Sequence, residues 1–313
     1  MNTEIIKNSL EHHSLATPFL GTIEYHSPLS KVSYYRIGGP ATAVLTPRSF
    51  QDLEIIHQVI LDTKARFFIL GWGSNLLFSD QGFDGIVIRM KHLFSQIEMK
   101  ENNELKVGAS VGCSSLLKFA QEKGLGGLSH LTGIPGSVGG MIAMNAGTHL
   151  GEIVKCCKRV RTVRLGVPGP LLISEHEVNE SHFSYRKNKF LKSGELIISC
   201  DLVYTPEDPA KVRSEIDELY QRRKQTQPVD FPSCGSVFMN PRGTGKNAWQ
   251  VIDLLGLRGH KVGDAQISEK HSNFIINLGH ATAADVKALI QLVKERAKAE
   301  LGIELHEEVK IIE

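Results

Sequence analysis

Three short segments of the chain combine glycine with small polar residues directly after apolar runs. They are Arg36-Ile37-Gly38-Gly39-Pro40-Ala41, then Gly71-Trp72-Gly73-Ser74-Asn75-Leu76-Leu77, then Gly133-Ile134-Pro135-Gly136-Ser137-Val138-Gly139-Gly140, which leads into Met144-Asn145-Ala146-Gly147. Residues without a Cβ reach backbone conformations closed to others, and bare N–H groups can then converge on an anion. The chemistry such loops offer is phosphate recognition by backbone. The familiar nucleotide signatures are not fulfilled: Gly71-x-Gly73-x-x-Leu76 lacks the last glycine of the Rossmann fingerprint. Gly243-Thr244-Gly245-Lys246-Asn247 lacks the spacing and the Ser/Thr of a P-loop. On these residues alone the loops form a dinucleotide site of another kind, or they are three structural turns.

Other reactive residue types are less telling by themselves. Arg186, in a Tyr-Arg-Lys-Asn-Lys run, reads as a solvated loop cation; Ser236 as a turn hydroxyl; and Glu308, beside Glu307, as a surface carboxylate. The histidines form no HExxH or comparable pattern, so no metal is assigned. The five cysteines, Cys113, Cys156, Cys157, Cys200 and Cys234, are odd in number and form no CxxC. Neither a disulfide framework nor a zinc site follows, and a reducing cytoplasm fits best.

The elements that must position these residues alternate from about residue 40 onward. Phe67 to Leu70, Ile86 to Ile88, Leu105 to Ala109 and Leu196 to Tyr204 are β-branched or apolar runs bounded by turn residues. A helix is expected between Pro47 and Leu61, with Ser49 as cap and Asp52 three positions on. A second opens at Asp208-Pro209, with an apolar stripe of Val212, Ile216, Leu219 and Tyr220, and stops before Pro228. A third is capped by Thr282 with Asp285, lines up Val286, Leu289, Ile290 and Val293, and ends at Gly302. The stretch from Thr205 to Pro209 is the expected domain boundary.

With 313 residues and 41% apolar content the chain is long enough for two domains or one large one, with real cores. Its 36 basic and 34 acidic residues nearly cancel, which argues against a nucleic-acid partner. The basic cluster Lys158, Arg159, Arg161 and Arg164 is interleaved with Val160 and Val163, as in a half-exposed strand. No run approaches the roughly 20 apolar residues of a membrane span, and the polar stretch from Met1 to Leu20 is not a signal peptide.

At its glycine loops the chain resembles the UDP-N-acetylenolpyruvoylglucosamine reductase family of FAD enzymes. The likeness starts at Pro28-Leu29-Ser30 and passes through the three loops to Phe183-Ser184-Tyr185-Arg186. It continues in Cys234-Gly235-Ser236-Val237-Phe238-x-Asn240-Pro241, Gly256-Leu257-Arg258-Gly259 and Ser268-Glu269-Lys270-His271-Ser272-Asn273-Phe274, and ends in Glu308-Val309-Lys310-Ile311-Ile312. The early motifs are shared with flavoproteins of the vanillyl-alcohol-oxidase fold; the later ones are specific to the family. Departures such as Met141, Thr148-His149-Leu150, Met239 and Ser272 touch none of the residues named below as catalytic.

The resemblance implies an α+β protein with an FAD-binding fold of the vanillyl-alcohol-oxidase (PCMH) type and a smaller C-terminal α+β substrate domain. The expected ranges are 28–205 for FAD binding and 206–313 for substrate, after an N-terminal extension, 1–27, of no assigned role. It further implies NADPH-dependent reduction of UDP-N-acetylglucosamine enolpyruvate in cell-wall synthesis, in the cytoplasm, on non-covalently bound FAD. Arg186, Ser236 and Glu308 take the catalytic positions: Arg186 and Glu308 at the substrate carboxylate, Ser236 as proton donor. FAD contacts fall on Arg36, Gly38, Gly71, Gly73, Ser74, Asn75, Leu76, Gly133, Ile134, Pro135, Gly136, Ser137, Gly139, Gly140 and Asn145. Asn240, His271 and Asn273 are the candidate substrate contacts. The short stretch between Arg186 and Ser236 points to the family type that lacks an extra tyrosine-bearing loop. Two other readings remain: a hydroxy-acid oxidase of the same fold, and a non-catalytic nucleotide-sugar binder.

Overall fold

In the computed structural model, which describes residues 2–313, the chain divides into two compact units, each assembled from separate stretches. The first combines the N-terminal stretch up to Tyr25 with Thr42–Trp72 and Asp84–Gln221. The second combines His26–Ala41, Gly73–Phe83 and Arg222–Glu313. These units are not the contiguous ranges 28–205 and 206–313.

In the first unit the apolar run Phe67–Leu70 is an outer strand of a four-stranded sheet. It lies parallel to Phe83–Arg89, with Phe67 opposite Ile86; Ala41–Thr46 and Thr22–Tyr25 follow. The helix Phe50–Thr63 packs Leu53, Ile56, Val59 and Ile60 into the core. Its start is set by Ser49, whose hydroxyl accepts from Asp52 N–H while the Asp52 carboxylate accepts from Ser49 N–H. The helix Thr3–Ser14 buries Ile6 and Leu10 in the same core. Its Ser9 and His13 reach Asp62 at 3.0 and 2.6 Å. The N-terminal stretch is therefore part of a core rather than an appendage; Met1 lies outside the described residues.

The second sheet of this unit has five antiparallel strands in the order Ile173–Glu177, Cys157–Arg164, Glu195–Val203, Glu104–Gly108, Ile97–Met99. The basic cluster lies on the strand Cys157–Arg164. Val160 and Val163, an odd number of residues apart, face opposite sides of the sheet and are buried in different cores, Val160 with Leu105 and Leu116 and Val163 with Ile56 and Ile60. Arg159 and Arg161 instead converge with Lys100 on the buried carboxylate of Asp201, at 2.9 to 3.3 Å. Burial pushes the Asp201 carboxyl up, but the Arg161 guanidinium and Lys100 outweigh it and hold the group at about 2. A carboxyl depressed on folding contributes stability that is fully present above its unfolded pKa near 3.8 and is lost as pH falls through about 2. Asp201→Asn is accordingly expected to cost about 2 kcal/mol at pH 7. In urea titrations the gap between variant and wild type should close towards pH 2.

The helix Pro209–Thr226 starts where the sequence places it, with Asp208 Oδ1 accepting from Ala210 N–H at 2.8 Å. Val212 and Ile216 enter the core that holds Leu116 and Leu128. Most of this helix thus belongs to the first unit, and the division falls after Gln221 instead of at Thr205–Pro209.

The second unit is built on an antiparallel sheet of Lys261–Val262, Ala265–Ile267 and Ile275–Asn277, with the helices Ala248–Leu254 and Ala283–Leu301. Thr282 and Asp285 form the expected capping box, and Gly302 ends the longer helix at φ +64°. Asp80 also accepts from the N–H groups of Ala283 and Ala284 at 2.7 and 2.9 Å. Early chain segments complete this core. Tyr35 is fully buried, with its hydroxyl donating to Ile275 O at 2.9 Å. Leu76–Phe78 pairs in parallel with Lys310–Ile312.

Candidate active site

In the first unit, the strand Phe67–Leu70 delivers Gly71 against the third glycine loop. A Cβ on Gly71 would stand 2.7 Å from Ser137 Oγ, so the glycine allows the two loops to touch. Gly133 and Gly136 have φ of +76° and +147°, which favours glycine at both. The loop is then fastened along residues 109–113. Val138 N–H donates to Val111 O at 2.8 Å and Gly139 N–H to Ala109 O at 2.9 Å. Gly140 N–H donates to Ser137 Oγ at 3.4 Å. The N–H groups of Gly139 and Gly140, expected among anion donors, are thus engaged within the protein. A Cβ on Gly139 would meet Ala109 Cβ at 2.9 Å, so close packing is what its glycine serves.

The helix Val138–Met144 that follows is ended by Asn145 in the left-handed conformation, φ +45°. The fully buried Asn145 amide donates through Nδ2 to Glu152 Oε2 (2.6 Å) and Ser184 O (3.2 Å). Its Oδ1 is buried with no protein partner. Asn188 Nδ2 donates to Ala143 O at 2.6 Å, so two amides pin the hairpin Phe183–Asn188 to this helix end. Arg186 sits at the hairpin turn. Its φ is +59°, a conformation that costs a non-glycine residue about 1–3 kcal/mol. The guanidinium lies 5.0 Å from the centre of the Tyr185 ring. A cavity of about 400 Å³ beside the hairpin is lined by Asn145, Gly151, Glu152, Lys155, Phe183 and Ser184, among others.

In the second unit, the segment around Ser236 is held on both sides. Val237 N–H donates to Asn273 O, and Phe238 N–H to Asn273 Oδ1, each at 2.9 Å; Asn273 Nδ2 donates back to Phe238 O, also at 2.9 Å. On the other side Glu308 N–H donates to Val237 O at 2.7 Å and Met239 N–H to His306 O at 2.9 Å. Gly235 turns the chain at φ +77° just before Ser236. Ser236 and Glu308 are therefore brought together on adjoining segments. Asn75 Nδ2 donates to Glu308 O at 3.0 Å, so an amide expected at the cofactor supports this segment. Burial pushes the neighbouring Cys234 thiol up to about 12, which keeps it protonated and inert.

The remaining candidates have structural partners too. Asn240 Oδ1 accepts from Ala248 N–H at 3.0 Å, at the start of the helix Ala248–Leu254. The His271 ring packs edge-on to Phe274, with centroids 4.9 Å apart. Burial lowers its pKa, and Nδ1 has no protein partner. Arg36 is exposed at φ +57°. Gly38, at φ +136°, lies where a Cβ would be 2.7 Å from Phe78 Cβ, so it serves close approach of backbones. Gly73, at φ +66°, opens the run Ser74-Asn75-Leu76 into the strand that pairs with Lys310–Ile312. Ile134 and Pro135 are half-buried within the third loop. The bonding roles of Asn273 and Asn75 went unseen in the sequence, because an amide carries no mark of its partner.

Comparisons with known proteins identify two matched regions. Residues 227–312 match the C-terminal domain of UDP-N-acetylenolpyruvoylglucosamine reductase, and residues 41–166 match an FAD binding domain. A relative named UDP-N-acetylenolpyruvoylglucosamine reductase from Geobacter sulfurreducens is 39% identical over 291 residues, covering 93% of this chain and 94% of that one. One of the same name from Caulobacter vibrioides is 37% identical over 295 residues, covering 93% and 95%. The crystal structure of UDP-N-acetylenolpyruvylglucosamine reductase (MurB) from Thermus caldophilus superposes with a TM-score of 0.79 at 34% identity, covering 94% of this chain and all of that one.

Proposed function

Because the chain belongs to the UDP-N-acetylenolpyruvoylglucosamine reductase family, we propose that Arg186, Ser236 and Glu308 are the catalytic residues of its reaction. The protein is an FAD- and NADPH-dependent reductase that converts UDP-N-acetylglucosamine enolpyruvate to UDP-N-acetylmuramate in peptidoglycan precursor synthesis. It has the α+β architecture of the vanillyl-alcohol-oxidase type of FAD-binding fold with a C-terminal substrate domain.

Bound FAD, once reduced by NADPH, supplies the hydride. The first unit fits that group: glycine turns at Gly133 and Gly136 and the partnerless Oδ1 of Asn145 offer it backbone room and a buried acceptor. Gly71, Ser137 and Asn145, with Ile134 and Pro135, would hold it there. Addition of hydride to the enolpyruvyl double bond gives the substrate carboxylate enolate character. Arg186 meets that charge with a guanidinium fork suited to a carboxylate, and Glu308 adds a second contact. Ser236 delivers a proton to the neighbouring carbon. The observation that supports pairing Ser236 with Glu308 is the 2.7 Å bond from Glu308 N–H to Val237 O, which joins the two segments that carry them. Asn273 acts through Phe238 as a positioning residue for Ser236, while Asn240 and His271 are assigned to the sugar nucleotide. The stretch between Arg186 and Ser236 holds one long strand and one helix, in keeping with the type lacking a tyrosine-bearing loop.

Among the described residues no helix is long and apolar enough to cross a membrane. Five free, buried cysteines and the use of NADPH support a cytoplasmic location. The reading is tested by mixing. The purified protein should be yellow, bleach with NADPH and recover its colour with the enolpyruvyl UDP-sugar faster than with hydroxy acids under oxygen exclusion; no recovery would refute it.

No His or Cys in the matched segments stands out as a flavin tether, so the cofactor is expected to be non-covalent. Acid precipitation should release all the flavin into the supernatant, and a yellow pellet would overturn this.

A further inference from the structure

Among the described residues of the first unit, buried side-chain atoms without a hydrogen-bond partner gather around one loop. They are Ser110 Oγ, His130 Nε2, Thr132 Oγ1 and Asn145 Oδ1. Two more in that unit, Arg159 Nε and Glu207 Oε2, lie in ion pairs at 3.0 and 2.9 Å. Ser110 stands between Ala109 and Val111, whose carbonyls accept from Gly139 and Val138 of the third glycine loop. Thr132 immediately precedes that loop, and Asn145 ends the helix that leaves it. Ser110 and Thr132 are 5% and 6% exposed, so bulk water does not reach their hydroxyls freely. A buried hydroxyl left unbonded is costly, and several around one loop mark a place where a polar ligand completes the bonding.

We propose that the Ser110 and Thr132 hydroxyls are FAD contacts, each donating a hydrogen bond to an acceptor atom of the cofactor. The proposal rests on the reading that FAD binds at this loop. It adds two residues that no glycine motif contains. The chemistry is complementary: hydroxyls donate, FAD is rich in carbonyl, ring-nitrogen and phosphate acceptors, and Asn145 offers only its oxygen because Nδ2 is bound to Glu152 and Ser184.

Ser110→Ala and Thr132→Val remove the hydroxyls with little change of volume. Flavin released on diluting the holoprotein, read by its fluorescence, gives the FAD dissociation constant. A neutral hydrogen bond corresponds to an about 2- to 13-fold change. Each variant is expected to bind FAD about 3- to 10-fold more weakly, and the double variant about 10- to 100-fold. The melting temperature of flavin-free protein should be unchanged or raised, since a partnerless hydroxyl has been removed. Wild-type affinity in both variants would overturn the proposal, as would a fall in flavin-free stability that matches the loss of FAD. A wild-type protein that takes up no FAD would instead overturn the underlying reading, and the proposal with it.

Discussion

Ser236→Ala is expected to slow reoxidation of the reduced flavin by the enolpyruvyl substrate about 10²–10⁴-fold, which is roughly 2.7–5.4 kcal/mol of barrier. Flavin reduction by NADPH should stay close to wild type. The expectation follows from how the segment is built. Val237 and Phe238 are bonded to Asn273 and Glu308 at 2.7 to 2.9 Å, so the backbone does not depend on the Ser236 hydroxyl. Ser236 itself is half-buried, and loss of its hydroxyl leaves no known partner stranded. A serine is a poor acid in water, but the enolate beside it is strongly basic, so transfer needs position more than a lowered pKa. Stopped-flow spectra separate the two half-reactions. Reoxidation within tenfold of wild type would mean that water or another residue delivers the proton. Asn273→Ala should reproduce part of the defect, and in a Ser236→Ala background it should add nothing further.

Arg186→Lys and Glu308→Gln are expected to slow the same half-reaction about 10²–10³-fold, the usual effect of disturbing one contact to a developing oxyanion. The arginine change is instructive because the charge survives. Lysine offers a point charge on a flexible stem and cannot reproduce the planar fork. Arg186 also holds φ +59°, over a tyrosine ring at 5.0 Å, in a turn pinned by Asn145 and Asn188. That strain fits a residue placed for function, since an exposed hairpin turn would accept glycine or asparagine there at lower cost. Equal losses in flavin reduction by NADPH would indicate a lost cofactor or a misfolded chain, and would refute the role at the carboxylate.

Helix ends were legible from sequence because their signals are local. Ser49 with Asp52, Asp208 with Pro209, and Thr282 with Asp285 and Gly302 each act within one turn, and the structure shows all three starts where expected. The half-exposed reading of the basic strand held for a similar reason, since valines alternating with arginines report two faces of one sheet. The strand's exact periodicity did not follow the pattern. Val163 is buried as well as Val160 because the sheet has a core on each face, and the core around Val163 is supplied by residues of the distant helix Phe50–Thr63.

What the sequence determined by itself, then, is four apolar strand runs, three capped helices and the family motifs in chain order. The tertiary structure decided what the polar residues between them do. Asn273 and Asn75 appeared as ligand contacts, yet their amides bond to the backbone of Phe238 and Glu308. The helix Thr3–Ser14 had no assigned role, yet Ile6 and Leu10 are core residues. Ser110 and Thr132 carried no signal at all, and only burial without a partner singles them out. The physical reason is common to all of these. A cap or an apolar stripe is satisfied by residues a few positions away, whereas an amide or hydroxyl takes its meaning from the group it faces, and that group is chosen by packing between segments far apart in the chain.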